Sequence, residues 1–267
     1  MTRRLRRILF IVGGAIGLLA LVALAVPLFV HLDHYKPRFE AAATDALGMD
    51  VRIAGKLGVG LFPSFHITAE DGRLLGAQGA VVASAKRVKL SVDLFSLLRG
   101  AIRLRGIEVR QPHLRIERGP EGKFNIEGLE KSIALIGSLD GARVSVSDGV
   151  LHYADHGSGE AFEATDFDLT IRRLRIAAAK TLSPTRRVSM QASFSCARIE
   201  TKGVAMSALK ATISGKDGIF QVEPITVRLF GGEGAGSIRA DATDSIPSYQ
   251  VRFSLPGFRI EEFVKVL

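Results

Sequence analysis

Arg87-Val88-Lys89-Leu90-Ser91-Val92 is the stretch that decides the fold. Apolar and polar residues alternate along it with a period of two. Val88, Leu90 and Val92 therefore share one face of an extended strand, with Arg87, Lys89 and Ser91 on the other. The same alternation recurs downstream. Ile102 and Leu104 alternate with Arg103 and Arg105. Past Gly106 the phase slips by one residue, giving Ile107 and Val109 against Glu108 and Arg110. A slip of one residue at a glycine predicts a bulge or bend. Leu114 and Ile116, then Val144 and Val146, then Phe167, Leu169 and Ile171 continue the series. Ile225, Val227 and Leu229 follow, and Val251, Phe253 and Leu255 end it.

Short turn-forming pairs separate these runs: Pro63-Ser64, Asp71-Gly72, Gln111-Pro112, Gly119-Pro120, Asp148-Gly149, Gly157-Ser158-Gly159, Asp217-Gly218 and Gly231-Gly232. Strands spaced this closely predict antiparallel meander connections, because a parallel crossover needs a dozen or more residues. The count reaches about a dozen strands, and only a few helices accompany them. Residues 35–47 read as a helix, with Pro37 in the first turn, Phe39, Ala43 and Leu47 on one stripe, and Gly48 as its stop. Residues 94–98, 126–136 and 260–267 read as further short helices.

So few helices cannot cover so large a sheet. Either the sheet closes on itself as a sandwich or barrel, or it stays open and curved with an apolar face reserved for a ligand.

Upstream of the strands, Arg3, Arg4, Arg6 and Arg7 precede an uncharged apolar run over residues 8–30. At about 1.5 Å per residue that run is about 34 Å long, enough for a bilayer core of roughly 30 Å. The arginines predict a cytoplasmic N-terminus, a single span and an exported remainder. Ala23-Leu24-Ala25 also fits a signal-peptide cleavage site. Apolar residues continue through Val26, Leu28, Phe29 and Val30, so length and flanks favour a retained anchor. Either way the rest of the chain is exported.

The formal charge is +9, concentrated in part at that N-terminus. The remainder is mildly basic without a dense block, which suits anionic lipid head groups better than nucleic acid. The single Cys196 excludes an intramolecular disulfide and reads as a small buried residue. No motif predicts catalysis. His152, Asp155 and His156 cluster in a strand-to-turn segment, where i,i+4 histidines do not share a face. Gly231-Gly232-Glu233-Gly234-Ala235-Gly236 leads into a strand, without the helix that a phosphate-binding loop requires. No cofactor, metal or enzyme activity is expected.

Several segments together resemble the AsmA family of bacterial envelope proteins. Val30-His31-Leu32-Asp33-His34-Tyr35-Lys36-Pro37-Arg38-Phe39-Glu40 is similar to that family's start, as are Ala46-Leu47-Gly48-Met49-Asp50-Val51 and Leu61-Phe62-Pro63-Ser64. Ala83-Ser84-Ala85-Lys86-Arg87-Val88, residues 94–100 and residues 107–116 are similar to its next block. Asp148-Gly149-Val150-Leu151-His152-Tyr153, continuing to Phe167-Asp168-Leu169, is similar to a middle block. Residues 224–240, with Leu229-Phe230-Gly231-Gly232, resemble its C-terminal region. Family members are usually longer, so the chain reads as a short member, a truncation or a fragment.

The resemblance implies a mainly β fold. An N-terminal transmembrane helix would precede an elongated, curved antiparallel sheet, a β-groove, with a few short helices. The expected layout is a basic cytoplasmic terminus over residues 1–7, a span over 8–30, a membrane-proximal helix over 31–50 and a periplasmic groove over 51–267. It further implies an inner-membrane protein that holds phospholipid acyl chains and contributes to phospholipid transport and outer-membrane assembly. Its partners would be phospholipid, the inner membrane, and an envelope protein or a further copy. Val88, Leu90, Val92, Ile102, Leu104, Ile107 and Val109 are the lipid-facing candidates, with core packing the competing role for each. An envelope scaffold with a closed core, which binds no lipid, is the alternative.

Overall fold

A computed structural model describes residues 32–61, 64–76, 79–93, 96, 99, 103–126, 141–176, 188–244 and 246–264. The candidate Ile102 and the run over residues 8–30 lie outside them, as do residues 127–136 and all of 94–98 but Ser96. Among the described residues no helix is long and apolar enough to cross a membrane.

The alternating runs form one sheet of twelve strands. They are β1 (Asp50–Ile53), β2 (Leu57–Gly60), β3 (His66–Leu75), β4 (Val81–Val92), β5 (Leu104–Arg118), β6 (Arg143–Asp155), β7 (Ala161–Ile176), β8 (Val188–Thr201), β9 (Val204–Lys216), β10 (Ile219–Leu229), β11 (Gly232–Asp241) and β12 (Ser248–Ser254). From β3 to β12 the spatial order follows the chain order, and β1 and β2 both pair with β3. Leu255 falls just beyond β12 rather than within it.

One pairing departs from the predicted meander: β5 and β6 run parallel. Residues 119–142 connect them, long enough to carry the chain back to the starting end of β5. The other neighbouring strands are antiparallel.

Two of the predicted helices are described in whole or in part. Helix α1 (Lys36–Leu47) has its proline in the first turn and ends at Gly48, whose φ of 71° is left-handed. Its side chains close the first edge of the sheet. Thr44 Oγ1 accepts from Val51 N–H at 3.0 Å, and Glu40 Oε1 accepts from Ile53 N–H at 2.7 Å. Helix α2 (Ile260–Val264) lies after the last strand, where Phe230, Phe258 and Phe263 form a ring cluster with centroid spacings of 5.4–5.9 Å.

Asp71-Gly72, Gln111-Pro112 and Asp148-Gly149, read from the sequence as turns, lie inside β3, β5 and β6. Each marks a mid-strand bulge. Asp71, Gln111, Asp148, Asp166 and Ala208 all have φ between 49° and 55°. The strand registers skip these residues at matching levels, so the bulges line up as a seam across the sheet from β3 to β9. Left-handed φ at a non-glycine residue costs about 1 kcal/mol, least for aspartate and asparagine, so the seam is a built feature.

At each bulge the inward phase slips by one residue. The same face therefore stays apolar on both sides of the seam, and each strand bends there. The slip predicted at Gly106 is a further bulge of this kind. Leu104 pairs with Val92 and Gly106 with Ser91, which leaves Arg105 without an opposite residue.

Candidate functional site

The registers place the predicted candidates opposite one another. Val88 faces Val109, Leu90 faces Ile107, and Val92 faces Leu104. All six lie on one face; Val92 is buried and the others are half-buried.

These pairs belong to rows that run across the sheet. One row passes through Val59, Ile67, Leu90, Ile107, Val144, Ile171, Ala192, Ile213, Val222, Ile238 and Val251, crossing every strand except β1. A second passes through Leu57, Ala69, Val88, Val109, Val146, Leu169, Phe194, Ala211, Ile225, Gly236 and Phe253. Neither row contains a polar side chain. Cross-strand pairs of branched and aromatic side chains stabilise a sheet face, but an uninterrupted apolar surface of this extent also marks a binding surface.

The opposite face has a different chemistry. Thr68, Lys89, Glu108, Ser145, Thr170, Ser193 and Thr212 form a row of hydroxyls and charges. Arg87 pairs with Glu70 at 3.1 Å, Lys89 with Glu108 at 3.3 Å, and Arg105 with Asp93 at 3.2 Å. These solvent-facing pairs, exposed or half-buried, contribute little stability and keep this face wet.

Strand accounts for 66% of the described residues, and no described helix lies over the apolar rows. A side chain on a flat, uncovered sheet stays substantially exposed. Yet Ala164, Phe167 and Cys196 on the apolar face are 5%, 9% and 2% exposed. Leu114, Val146, Leu151, Phe194, Ile199 and Leu209 pack around them, all from the same face. This cluster lies along the bulge seam. The strands bend at the seam, so their side chains lean together and form a buried crease between two open arms. The Phe167 ring fits there because its cross-strand partner is Gly149, where a Cβ would come within 2.4 Å of the ring. Burial also pushes the Cys196 thiol pKa upward.

Reading the sequence singled out only the portion of this surface on β4 and β5. The β6 to β12 contributions carried the same period-two signal, but the bulges broke its phase within single strands. The crease was not legible as a site, because its residues are brought together by the seam.

The polar clusters noted in the sequence have structural roles. Asp155 closes the turn after β6. Its Oδ1 accepts from Gly157 N–H at 2.8 Å and Ser158 N–H at 3.2 Å, and its Oδ2 meets Arg118 Nη1 at 3.1 Å. The two backbone donors, with Arg118, hold the carboxyl below the ordinary range. His152 faces Glu163 at 3.4 Å and His156 faces Glu117 at 3.6 Å, both exposed. Among the described residues no cluster of three or more histidine, cysteine or acidic side chains could hold a metal. Cavities of 450, 700 and 390 Å³ are lined mainly by polar and charged side chains, away from the crease.

The model of the AsmA family matches residues 1–169, more than half of the chain, and the chain belongs to that family. No curated protein matches it.

Proposed function

We propose that this AsmA-family member holds phospholipid acyl chains against its apolar rows. It would sit in the bacterial inner membrane by a single N-terminal span, with the sheet in the periplasm. There it would contribute to phospholipid transport and outer-membrane assembly by sheltering lipid rather than by covalent chemistry. One observation carries the reading: apolar rows cross the sheet on one face without a polar interruption, and no described element covers them.

Removing acyl chains from water onto such a surface is favourable at about 25 cal/mol per Å² buried. The bend at the seam supplies a concave bed for the chains, while head groups stay wet at its lips. The path of strands at about 4.8 Å spacing makes a bed roughly 50 Å long. A bed of that length suits one or two lipids, and reaching a second membrane would call for a partner or a further copy of the chain.

Native mass spectrometry of the chain, purified after overexpression in a bacterial envelope, tests the reading. Stoichiometric phospholipid that survives detergent exchange is expected, with loss on Leu90→Asp or Ile107→Asp in folded protein. A folded, monodisperse and lipid-free chain would overturn it in favour of a scaffold with a self-satisfied core.

A further inference from the structure

We infer that one lip of the bent sheet, where β5 and β6 begin, β7 ends, β8 begins and β9 ends, is a binding site for the phosphate of an anionic lipid head group. The inference rests on the lipid-shelter reading and adds the class of lipid and its orientation across the sheet. Arg103, Arg143, Arg172, Arg173, Arg175 and Lys216 gather at this lip, all exposed. Lys216 has only Asp217, 4.0 Å away, and none of the five arginines has an acidic partner within ion-pairing distance among the described residues.

The opposite lip is balanced. There Arg118 pairs with Asp155, His152 with Glu163, His156 with Glu117 and Arg198 with Glu200. The sheet therefore carries an electrostatic gradient across its width, positive at one lip, with the apolar crease between.

A cavity of 700 Å³ at the basic lip opens on the polar face, lined by Arg173, Arg175 and Lys216 with Gln191, Ser214 and Asp217. On the other, apolar face of the same strand ends, the Met190 and Phe220 side chains lie over Gly215. Guanidinium groups on the polar side of these strand ends, with thioether and aromatic surface on their apolar side, match an amphiphile whose phosphate sits at the lip and whose chains lie on the apolar face. Guanidinium groups favour phosphate, and a head group that carries its own amine would meet repulsion from the same cluster. The site therefore prefers a phosphatidylglycerol-like head group over phosphatidylethanolamine.

The test equilibrates the full chain in non-ionic detergent with equimolar phosphatidylglycerol and phosphatidylethanolamine and counts lipid adducts by native mass spectrometry. About a fivefold excess of phosphatidylglycerol adducts is expected, the ratio for one net surface cation at close range. The variant R173E/R175E/K216E should bring the ratio to one or below while total bound lipid stays the same. The milder R173Q/R175Q/K216Q repeats the test if the reversed charges unfold the lip. R115E/K202E at the opposite lip should keep the excess.

Equal adducts on the wild type, or an excess that persists in both triple variants, overturns the head-group site and leaves the groove reading standing. A wild type that carries no lipid refutes the groove itself. Displacement of phosphatidylglycerol by millimolar inorganic phosphate would reassign the lip to a soluble phosphate and overturn the inference, whereas an unchanged adduct pattern supports it.

Discussion

Phe167→Ala and Leu90→Ala, measured side by side, separate a crease that holds the fold together from a surface kept for a ligand. Phe167 is 9% exposed, sits over Gly149 and stacks on Phe194 with centroids 6.4 Å apart. Truncating a buried phenylalanine costs about 3–5 kcal/mol. The crease opens on one side, so the lower end, about 3 kcal/mol, applies. Leu90 lies on the long apolar row between Ile67 and Ile107 and is half-buried. Losing its outer carbons at about 0.8 kcal/mol per buried methylene, halved for exposure, costs about 1 kcal/mol.

Urea unfolding followed by circular dichroism reads the contrast. With an m-value of about 2 kcal/mol per molar urea, the midpoints should fall by about 1.5 M for Phe167→Ala and about 0.5 M for Leu90→Ala. A Leu90→Ala shift equal to that of Phe167→Ala would mean that an opposing layer covers the row. A Phe167→Ala shift under 0.5 M would mean that the crease is no core. Either result refutes the reasoning.

At the first edge, Thr44→Val with Glu40→Gln should remove or weaken the caps on Val51 and Ile53 N–H, at about 1 kcal/mol per lost hydrogen bond. Hydrogen exchange should speed up at these two amides and not at Leu90. Gly149→Ala should force the Phe167 ring aside and cost about 1–3 kcal/mol by overpacking, seen as a lower melting temperature; an unchanged one would show room the contacts deny. Asp155 has its folded pKa held below the ordinary value, so its stabilisation is present at neutral pH and is lost as pH falls through the folded pKa. The stability gap between wild type and Asp155→Asn should therefore be widest near pH 7 and shrink on acidification, and parallel pH profiles would contradict this. Cys196, buried and with its thiol pKa raised, should react with iodoacetamide only on unfolding; rapid labelling of the native chain would contradict the crease.

The sheet itself was legible because period-two alternation survives wherever a strand runs straight, as in Val88, Leu90 and Val92. The bulges were misread because Asp-Gly and Gln-Pro carry the same local signal in a tight turn and in a mid-strand left-handed kink. Asp71, Gln111 and Asp148 all need positive φ, and only pairing partners on both sides distinguish a bulge from a chain reversal. The parallel pairing of β5 with β6 was likewise invisible in local pattern, since it depends on how residues 119–142 return the chain. Arg103 and Arg173 show the same limit at the lips. Their charge is plain in the sequence, but their gathering at one edge follows only from which strand ends meet there.

The seam links these levels. Aspartates that tolerate left-handed backbone permit the bulges, and the bulges bend every strand from β3 to β9 at one level. The bend buries Phe167 and Cys196, while the flanking arms keep Leu90, Ile107, Val144 and Ile171 half-open.

The most direct test of the central claim places a photo-crosslinking residue on adjacent positions that face opposite ways. Ile107→p-benzoylphenylalanine lies on the apolar row and Glu108→p-benzoylphenylalanine on the polar one. Irradiated in living cells, the variant at 107 should yield phospholipid adducts and the variant at 108 should not. Adducts at neither position, or equally at both, would contradict a lipid bed on the apolar face.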